Sequence, residues 1–367
     1  MEKIEYKKMK IVHAIAYYGN YIGGIQIYVK ELSKRQKEAG HQVKIITSDL
    51  YGKQREIDGI NIIRAKALFS LFRVPFTPLL LYYLLKEDCD ILHIHLPLPW
   101  LDICSVVKKV IHKNTKLIVH IHNYVPFKSK ISKLFAFIHD KFLIKIAINK
   151  ANYVITPVSA FSASLKYKIP KEKHINSPYG VDTERFYPSK TYEKNSILFV
   201  GRIIPEKGLH ILMKAMNLVK NQIDNVKLIV IGADTYNYNQ YENKIRALDS
   251  GFLIIKKNIP NNLIRKYYAN SVCLVMPSLD IDSFGIVLIE AMACGCPVIC
   301  SDLPGPSSII NKECGIIVPK GNVEMLRLSI IYMLKNSKNM REKARKYVEN
   351  NYSWDKVSKQ IEEIYLK

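Results

Sequence analysis

Two cationic side chains flank a turn at the end of a predicted strand in the second half of the chain. The strand ends at Gly201, Arg202 follows it, and Lys207 precedes Gly208, where a helix begins. An arginine fork and a lysine ammonium beside a helix amino terminus favour anions, and phosphate oxygens in particular. The segment therefore predicts a phosphate-binding loop. An ordinary surface turn with two cations is the alternative interpretation.

A second loop carries a carboxylate and leads into an apolar helix that contains another. Asp282 in the loop has a carboxylate suited to accept hydrogen bonds from sugar hydroxyls, although it could equally cap the helix. Glu290 is a candidate to accept them from a ribose, because a carboxylate in so apolar a helix needs a partner. Glycine at the helix start lets a ligand approach the backbone, and the first amides favour an anion. The residues predicted to contribute in this way are Ser283, Phe284, Gly285 and Ile286.

The first half offers a two-glycine loop and two pairs of histidines. Gly23 and Gly24 follow the first predicted strand and suit backbone approach to a diphosphate, although the dinucleotide-binding fingerprint is missing. The members of each histidine pair alternate along a strand, so they share one face. A structural role and a zinc site both remain open for these residues. The pairs are His93 with His95 and His120 with His122.

Neither carboxylates nor cysteines make a convincing metal site. Asp280 and Asp282 have the spacing of a metal-binding pair, but so short a pattern is common by chance. Five of the seven cysteines lie between Cys273 and Cys314 without a Cys-x-x-Cys pair. They are expected to be small buried hydrophobic residues in a reducing compartment. The carboxylates and cysteines therefore predict no metal site, and we expect no cofactor.

The hydrophobic pattern alternates strands and helices along the chain of 367 residues, and the polar segment Tyr187–Asn195 separates two similar halves. This alternation predicts two α/β domains with parallel sheets. Ligands of such sheets bind outside the carboxyl ends of the strands, so the two halves are expected to face a central cleft. The predicted strands are Lys10–Ala16, Gln42–Thr47, Asp90–His95, Lys116–His122, Asn152–Val158, Ser196–Gly201, Val226–Gly232, Phe252–Lys256, Val272–Pro277 and Pro297–Ser301. The predicted helices begin at Ile25, Gly208, Gly285 and Val323, and a last helical segment is expected at Trp354–Tyr365.

The net charge of +23 is concentrated in the first half, where residues 1–185 contribute +15. Basic residues alternate with aromatic ones, which suits an element lying on an anionic membrane surface. A solvated face of a core helix is an alternative, and nucleic acid is not expected because no binding motif accompanies the charge. Without a signal peptide or spanning segment, the chain is expected to be cytoplasmic and peripheral on the inner membrane face. The stretch includes Phe127, Lys128, Lys130, Lys133, Leu134, Phe135, Phe137, Lys141, Phe142, Leu143 and Lys145.

Together these segments resemble the family 4 glycosyltransferases of GT-B fold over nearly the whole chain. The run that begins Ser-Phe-Gly and continues through Glu-Ala-Met-Ala to Pro-Val-Ile is highly specific, whereas the two-glycine loop is not. The resembling segments are Gly23–Gly24 with the following helix, Gly180–Phe186, Gly201–Gly208 and Ser283–Ile299.

The resemblance implies a retaining transfer from a nucleotide-sugar donor to a glycan or lipid-linked acceptor, without an essential metal. It also implies that Arg202 and Lys207 hold the donor diphosphate, that Glu290 contacts the ribose and that His122 approaches the donor sugar. Its domains would be an acceptor-binding domain at 1–186, a donor-binding domain at 187–350 and a helix at 351–367 that returns to the first domain.

Three departures accompany the resemblance. Asp282 stands where the family has the first of two glutamates, so its carboxylate is one methylene shorter. Tyr179 replaces the usual Asn before Gly180, and the segment 303–308 replaces a glycine-rich stretch containing Glu. A nucleotide-sugar epimerase of the same architecture and a non-catalytic sugar-nucleotide-binding scaffold therefore remain as alternatives.

Overall fold

The computed structural model describes residues 8–19, 23–71, 74–123, 137, 139–232, 239–280 and 282–367. Six members of the basic and aromatic stretch lie outside the described residues, as does Ile281. Those six are Phe127, Lys128, Lys130, Lys133, Leu134 and Phe135. The chain forms two compact units, one made of Met1–Pro178 with Val357–Lys367 and the other of Tyr179–Lys356.

Within the described residues, the first unit contains an eight-stranded sheet in the order β10-β9-β8-β7-β1-β2-β4-β3. Its pairs are parallel except for the short β3–β4 pair. The central strands are buried on both faces, as expected for a parallel sheet covered by helices. The strands are β1 Lys10–Ala14, β2 Gln42–Ser48, β3 Glu56–Ile57, β4 Ile60–Ala65, β5 Phe69–Leu71, β6 Val74–Phe76, β7 Ile91–Leu96, β8 Lys116–Ile121, β9 Tyr153–Thr156 and β10 His174–Asn176, of which β5 and β6 form a separate hairpin.

Helices connect these strands and present their apolar stripes to the sheet. In the first helix, Tyr28, Val29 and Leu32 are buried at helical spacing, while the opposite face is charged. The helices of this part are α1 Gly24–Glu38, α2 Leu79–Lys86, α3 Pro99–Ile111, a π-helical turn at His139–Leu143, α4 Ile144–Lys150 and α5 Ser159–Ala163.

The second unit contains a six-stranded parallel sheet in the order β13-β12-β11-β14-β15-β16. Its core includes Phe199 of β11 and the buried face of the following helix, with Leu212 and Met216. The strands are β11 Ser196–Val200, β12 Lys227–Gly232, β13 Leu253–Lys257, β14 Cys273–Met276, β15 Val298–Ser301 and β16 Gly315–Val318. The helices are a 3₁₀ turn at Pro205–Lys207, α6 Leu209–Lys220, α7 Asn239–Ala247, α8 Asn261–Asn270, α9 Ile286–Ala293, α10 Pro304–Ser307, α11 Val323–Asn336, α12 Lys338–Tyr352 and α13 Trp354–Leu366, whose residues from Val357 belong to the first unit.

The observed elements confirm the predicted α/β class with parallel sheets, and the predicted strands agree with the observed ones to within one or two residues at most ends. All seven cysteines are buried and none forms a disulfide. In the part of the chain that the structure describes, no helix combines the length and apolar character needed to cross a bilayer.

Candidate functional site

Two loops that follow neighbouring strands lie against each other in the second unit. Strand β11 pairs in parallel with β14, so the loops that follow these two strands begin at the same edge of the sheet. The loop after β11 and the loop after β14 are joined by a hydrogen bond from the Leu279 amide to the Glu206 carbonyl, at 2.8 Å. The predicted phosphate-binding loop and the predicted carboxylate loop are therefore in contact and form one candidate site.

Gly208 makes this contact possible. Its φ of 69° is left-handed, and a Cβ at this position would lie 1.8 Å from the carbonyl oxygen of Pro277. Only glycine combines this backbone conformation with so close an approach of two chains. The glycine thus sets both the position of Lys207 before it and the start of α6 after it.

The side chains of Lys207 and Asp282 form an ion pair in this site. Lys207 Nζ lies 2.5 Å from Asp282 Oδ2, and the Ser278 hydroxyl donates to the same oxygen at 2.9 Å. Both charged side chains are largely buried, with 22% and 17% exposure. The Arg202 side chain is exposed and has no hydrogen bond or ion pair with any described residue. One predicted cation is therefore held in place, and the other projects from the loop.

The amino terminus of α9 forms the third part of the site. Gly285 precedes the helix with a φ of 101°, and the first amides, of which Ile286 supplies one, lack intrahelical acceptors. Gly305 packs tightly against this loop, because a Cβ on Gly305 would lie 2.1 Å from the Asp282 carbonyl oxygen. The Ser283 and Phe284 side chains are buried, so in this conformation both residues offer a ligand chiefly their backbone.

Glu290, on α9, has the partner that the sequence required but did not name. Its Oε2 accepts a hydrogen bond from the Tyr268 hydroxyl at 2.8 Å. Burial raises the pKa of Glu290 to about 7, while the Tyr268 hydrogen bond and the Arg185 charge oppose that rise. The carboxyl group therefore changes its charge close to neutral pH.

This pKa predicts a pH dependence of ligand binding. Above pH 7 the Glu290 carboxylate accepts hydrogen bonds from hydroxyls, and below pH 7 protonation weakens it as an acceptor. The apparent dissociation constant of a nucleotide ligand is expected to rise up to about tenfold from pH 8 to pH 6. Calorimetric titration measures this, with Glu290→Gln as the control that should flatten the profile between these limits. An unchanged profile in Glu290→Gln would contradict the assignment.

In the first unit, Gly23 and Gly24 lie where the sequence placed them, after β1 and at the start of α1. Gly23 is extended, with φ −142°, and its carbonyl accepts the first helical hydrogen bond from the Ile27 amide. Residues 20–22 lie outside the described residues. A diphosphate contact for these glycines stays a prediction.

His122 follows β8 and belongs to a buried histidine cluster. The ring is fully covered, and its Nε2 lies 2.8 Å from Nδ1 of His95. The cluster also contains His13 of β1, which sequence reasoning missed although it is aligned with His93 across β1–β7. Two groups of three nitrogens are close enough together to be considered as metal ligands. They are His13, His93 and His95, and His95, His120 and His122.

Comparison with known proteins identifies relatives along nearly the whole chain. Residues 22–185 match the family model described as Glycosyltransferase Family 4, and residues 181–354 match Glycosyl transferases group 1. The capsular polysaccharide biosynthesis glycosyltransferase CapM of Staphylococcus aureus is 31% identical over 256 aligned positions. The match covers 61% of this chain and 65% of that protein, slightly less than two thirds of its length. The phosphatidyl-myo-inositol mannosyltransferase of Mycobacterium leprae is 25% identical and is matched over 94% of this chain and 92% of its own.

Solved structures show the same fold. Anabaena HepE in complex with UDP-glucose superposes with a TM-score of 0.77 at 15% identity, covering 97% of this chain and 99% of that one. At this identity the likeness establishes the architecture alone, which is the GT-B fold predicted from the sequence.

Proposed function

The chain belongs to the family 4 glycosyltransferases, and we propose that it transfers a sugar from a nucleotide-sugar donor to a glycan or lipid-linked acceptor with retention of anomeric configuration. The observation that carries the proposal is the joined pair of loops in the second unit. There Lys207, Arg202 and the amino terminus of α9 offer positive charge beside one edge of the sheet. A nucleoside diphosphate is the leaving group that such a site suits.

The chemistry follows from where charge develops. As the glycosidic bond breaks, negative charge grows on the departing diphosphate and the sugar ring becomes oxocarbenium-like. Cations and helix amides that are already positioned stabilise that charge without reorganising. We propose that Arg202 and Lys207 supply this stabilisation, without an essential metal, and that Glu290 accepts hydrogen bonds from the ribose.

Asp282 has two tasks in this proposal. Its carboxylate holds Lys207 in place in the ligand-free protein, and Ser278 fixes the carboxylate in turn. When a donor arrives, the diphosphate competes for Lys207 and the Asp282 carboxylate becomes available to sugar hydroxyls. The shorter side chain keeps Asp282 close to its own loop, so its reach is expected to influence which sugar is accepted.

The relatives suggest the classes of donor and acceptor. HepE is described with UDP-glucose, which supports a nucleotide sugar as donor. CapM is named for capsular polysaccharide biosynthesis and the mycobacterial relative for phosphatidyl-myo-inositol, which support a surface-glycan or lipid-linked acceptor. We propose that the domain at 1–186 binds the acceptor and the domain at 187–350 binds the donor.

The test of this function is product analysis with a panel of nucleotide sugars. The expected result is release of nucleoside diphosphate only when both donor and acceptor are present, with an α-linked product from an α-linked donor by NMR. Epimerised nucleotide sugar formed without an acceptor would instead indicate an epimerase. No turnover of any donor that binds would indicate a scaffold.

Part of the basic and aromatic stretch lies at the surface of the first unit. Phe137 and Phe142 are more than half exposed, and Lys141 Nζ lies 5.2 Å and 5.5 Å from their ring centroids. Ile146 of α4 is also exposed. Exposed aromatic side chains with interleaved lysines suit contact with anionic lipid, and we propose this face as the contact of a peripheral protein.

Vesicle sedimentation tests this contact. The chain is expected to bind vesicles containing phosphatidylserine. Salt at about 0.5 M should release it, because that ionic strength screens the attraction between surface charges. Replacing both Phe137 and Phe142 by serine should weaken binding on the order of tenfold. Tyr332→Ser removes a similarly exposed aromatic side chain from the second unit and is expected to have no effect. Equal binding to neutral vesicles, or no loss in the double variant, would contradict the proposed face.

A further inference from the structure

A second group of exposed apolar side chains lies in the first unit, apart from the π-helical turn that carries Phe142. Leu68 and Phe69 belong to the β5–β6 hairpin, and Leu79 and Tyr82 belong to α2. Each of the four is between 46% and 62% exposed. Exposed apolar side chains that occur together, rather than singly, mark surfaces that contact something other than water. We call these four residues the hairpin patch.

The hairpin patch lies at the carboxyl edge of the first sheet, the edge at which its parallel strands end. Strand β4 runs parallel to β2, β1 and β7, and the hairpin follows β4. Helix α2 then leads from the hairpin to the amino end of β7, so its first turn lies at the same edge. Ligands of open α/β sheets bind outside this edge. The patch is therefore on the side of the unit where a ligand of the first domain is expected.

Helix α2 has no charged side towards water. Leu80 and Leu84 are buried against the protein, one turn apart. The exposed positions are Leu79 and Tyr82, and no charged residue occurs in the helix before Lys86. A helix on an ordinary protein surface has a polar outer face, as α1 does. The composition of α2 therefore indicates a surface that is covered by apolar material.

Helix α3 holds the hairpin in place. Phe69 and Phe76 are opposite each other in the hairpin, with ring centroids 5.1 Å apart. The Phe76 ring is also 5.1 Å from the ring of Trp100, whose Nε1 donates to the Thr77 carbonyl at 2.8 Å. A two-stranded hairpin alone is marginally stable, so these contacts with the start of α3 fix its position.

The same turn of α3 also holds the π-helical turn. Asp102 follows Trp100 by two residues, and its Oδ2 lies 2.6 Å from Nε2 of His139. His139 begins the π-helical turn, which carries the exposed side chains of Lys141 and Phe142. The first turn of α3 therefore contacts both of the exposed apolar groups, and both belong to one end of the unit.

Charge indicates what covers this end of the unit. Residues 1–185 contribute +15 to the net charge, and exposed Lys66 and Lys86 flank the hairpin patch in sequence. Apolar and aromatic side chains among lysines suit the surface of an anionic bilayer. A second copy of this chain would bring the same positive charge to the face, and like charges repel. The occupant that the charge favours is therefore anionic lipid.

From this arrangement we infer that the hairpin patch is a second lipid-contacting element. Resting on the proposed function, we also infer that the acceptor is lipid-anchored and that its hydrocarbon stays in the bilayer during transfer. The lipid contacts and the edge that binds ligands coincide, so a headgroup reaches this edge without leaving the membrane. This reduces the two proposed acceptor classes, glycan and lipid-linked, to the second.

Fluorescence quenching tests the lipid contact directly. In Leu68→Trp, the added fluorescence is expected to be quenched by vesicles of equal parts brominated phosphatidylcholine and phosphatidylserine. The unmodified chain, with its own two tryptophans, gives the background. Val110→Trp is the matched control, because Val110 is 51% exposed but lies at the other end of α3. Vesicle-bound Leu68→Trp whose added fluorescence is not quenched would overturn the inference.

A double variant of α2 tests the contribution of the patch to binding, and it leaves the hairpin stack intact. Leu79→Ser with Tyr82→Ser should weaken binding to phosphatidylserine vesicles on the order of tenfold. Val110→Ser with Ile111→Ser removes two exposed apolar side chains at the end of α3 and should leave binding unchanged. Light scattering without lipid should show the same mass for both variants and the unmodified chain. A dimer that only the α2 variant loses would assign the patch to a second copy and overturn the inference.

Two forms of one acceptor test the acceptor class. A panel of glycosides carries each sugar either on a hexyl chain, which stays in water, or on a hexadecyl chain, which is anchored in phosphatidylserine vesicles. The KM of an accepted sugar should be lower by about tenfold or more on the hexadecyl chain. The α2 variant should raise the KM of the anchored form only. Equal use of both forms, or an equal loss with both in the α2 variant, would contradict a lipid-anchored acceptor.

The failure of this inference and that of the proposed function give different results. If no nucleoside diphosphate is released from any donor with either form of acceptor, the proposed function fails, and quenching of Leu68→Trp still decides the lipid contact. If the hexyl form is used as well as the anchored form, the acceptor class is wrong and the proposed function stands.

Discussion

Lys207→Ala and Arg202→Ala variants are each expected to lose about 10²-fold or more in kcat, with a smaller change in donor KM. The reason is that negative charge on the diphosphate is greatest in the transition state, so a cation aimed there stabilises it more than the ground state. Initial rates of nucleoside diphosphate release measure the loss.

Lys227→Ala is the matched control for this prediction. Lys227 belongs to the same unit, but it lies at the start of β12. Its exposed Nζ lies 4.0 Å from Oε2 of Glu193, which is also exposed. Its removal should leave kcat within about twofold, because an exposed pair contributes little. Equal losses in Lys227→Ala and Lys207→Ala would mean that net charge matters and the position of the cation does not.

The ion pair refines the expectation for Lys207. If Asp282 only holds the ammonium in place, Asp282→Asn and Lys207→Ala should not be additive, because both disturb one interaction. If Asp282 also contacts the sugar, Asp282→Asn should lower kcat even in the Lys207→Ala background. A double-mutant cycle on kcat/KM separates these two tasks.

Gly208→Ala is expected to have the largest effect on stability, a loss of about 2–5 kcal/mol in the free energy of unfolding. Two effects combine at this position, namely the left-handed backbone and the overlap of a Cβ with the Pro277 carbonyl at 1.8 Å. Relief of that overlap must separate the two loops, so nucleotide binding should weaken along with folding. Denaturant unfolding of the full chain measures the first effect, and calorimetry at low temperature measures the second.

Gly251→Ala isolates the backbone effect. Gly251 is also left-handed, with a φ of 94°, but its added Cβ would meet only the ammonium of the long Lys220 side chain, at 3.4 Å. A loss of about 1 kcal/mol is expected there. Similar losses in both variants would show that the Pro277 contact is not tight, and the two loops would then not depend on Gly208.

The alternation of strands and helices was enough to predict the fold class. Buried parallel strands such as β14 and β15 appear in the sequence as continuous apolar runs, and α6 shows helical spacing of Leu212 and Met216. Short edge elements such as β3 and β10 were missed because two or three residues carry no readable period.

The contacts within the site could be predicted only in part. That Glu290 needs a partner follows from its apolar helix, but the identity of Tyr268 depends on how α8 packs against α9. The pairing of Lys207 with Asp282 likewise joins residues far apart in sequence. Local patterns establish which residues can do chemistry, whereas tertiary packing decides which of them meet.

The buried histidine cluster shows the same limit. Four of its rings stand out in the sequence because they alternate at two strand ends. Tyr365 does not, since it lies 272 positions from His93 and looks like any apolar residue of an amphipathic helix. Only the return of the last residues to the first unit brings the Tyr365 hydroxyl to His93.

A crystal structure of the chain with the nucleoside diphosphate that most raises its melting temperature would test the central claim most directly. The predicted result places the diphosphate oxygens within hydrogen-bond distance of Arg202, Lys207 and the first amides of α9, with the ribose at Glu290. A diphosphate bound elsewhere, with both cations turned to bulk water, would contradict the proposed site.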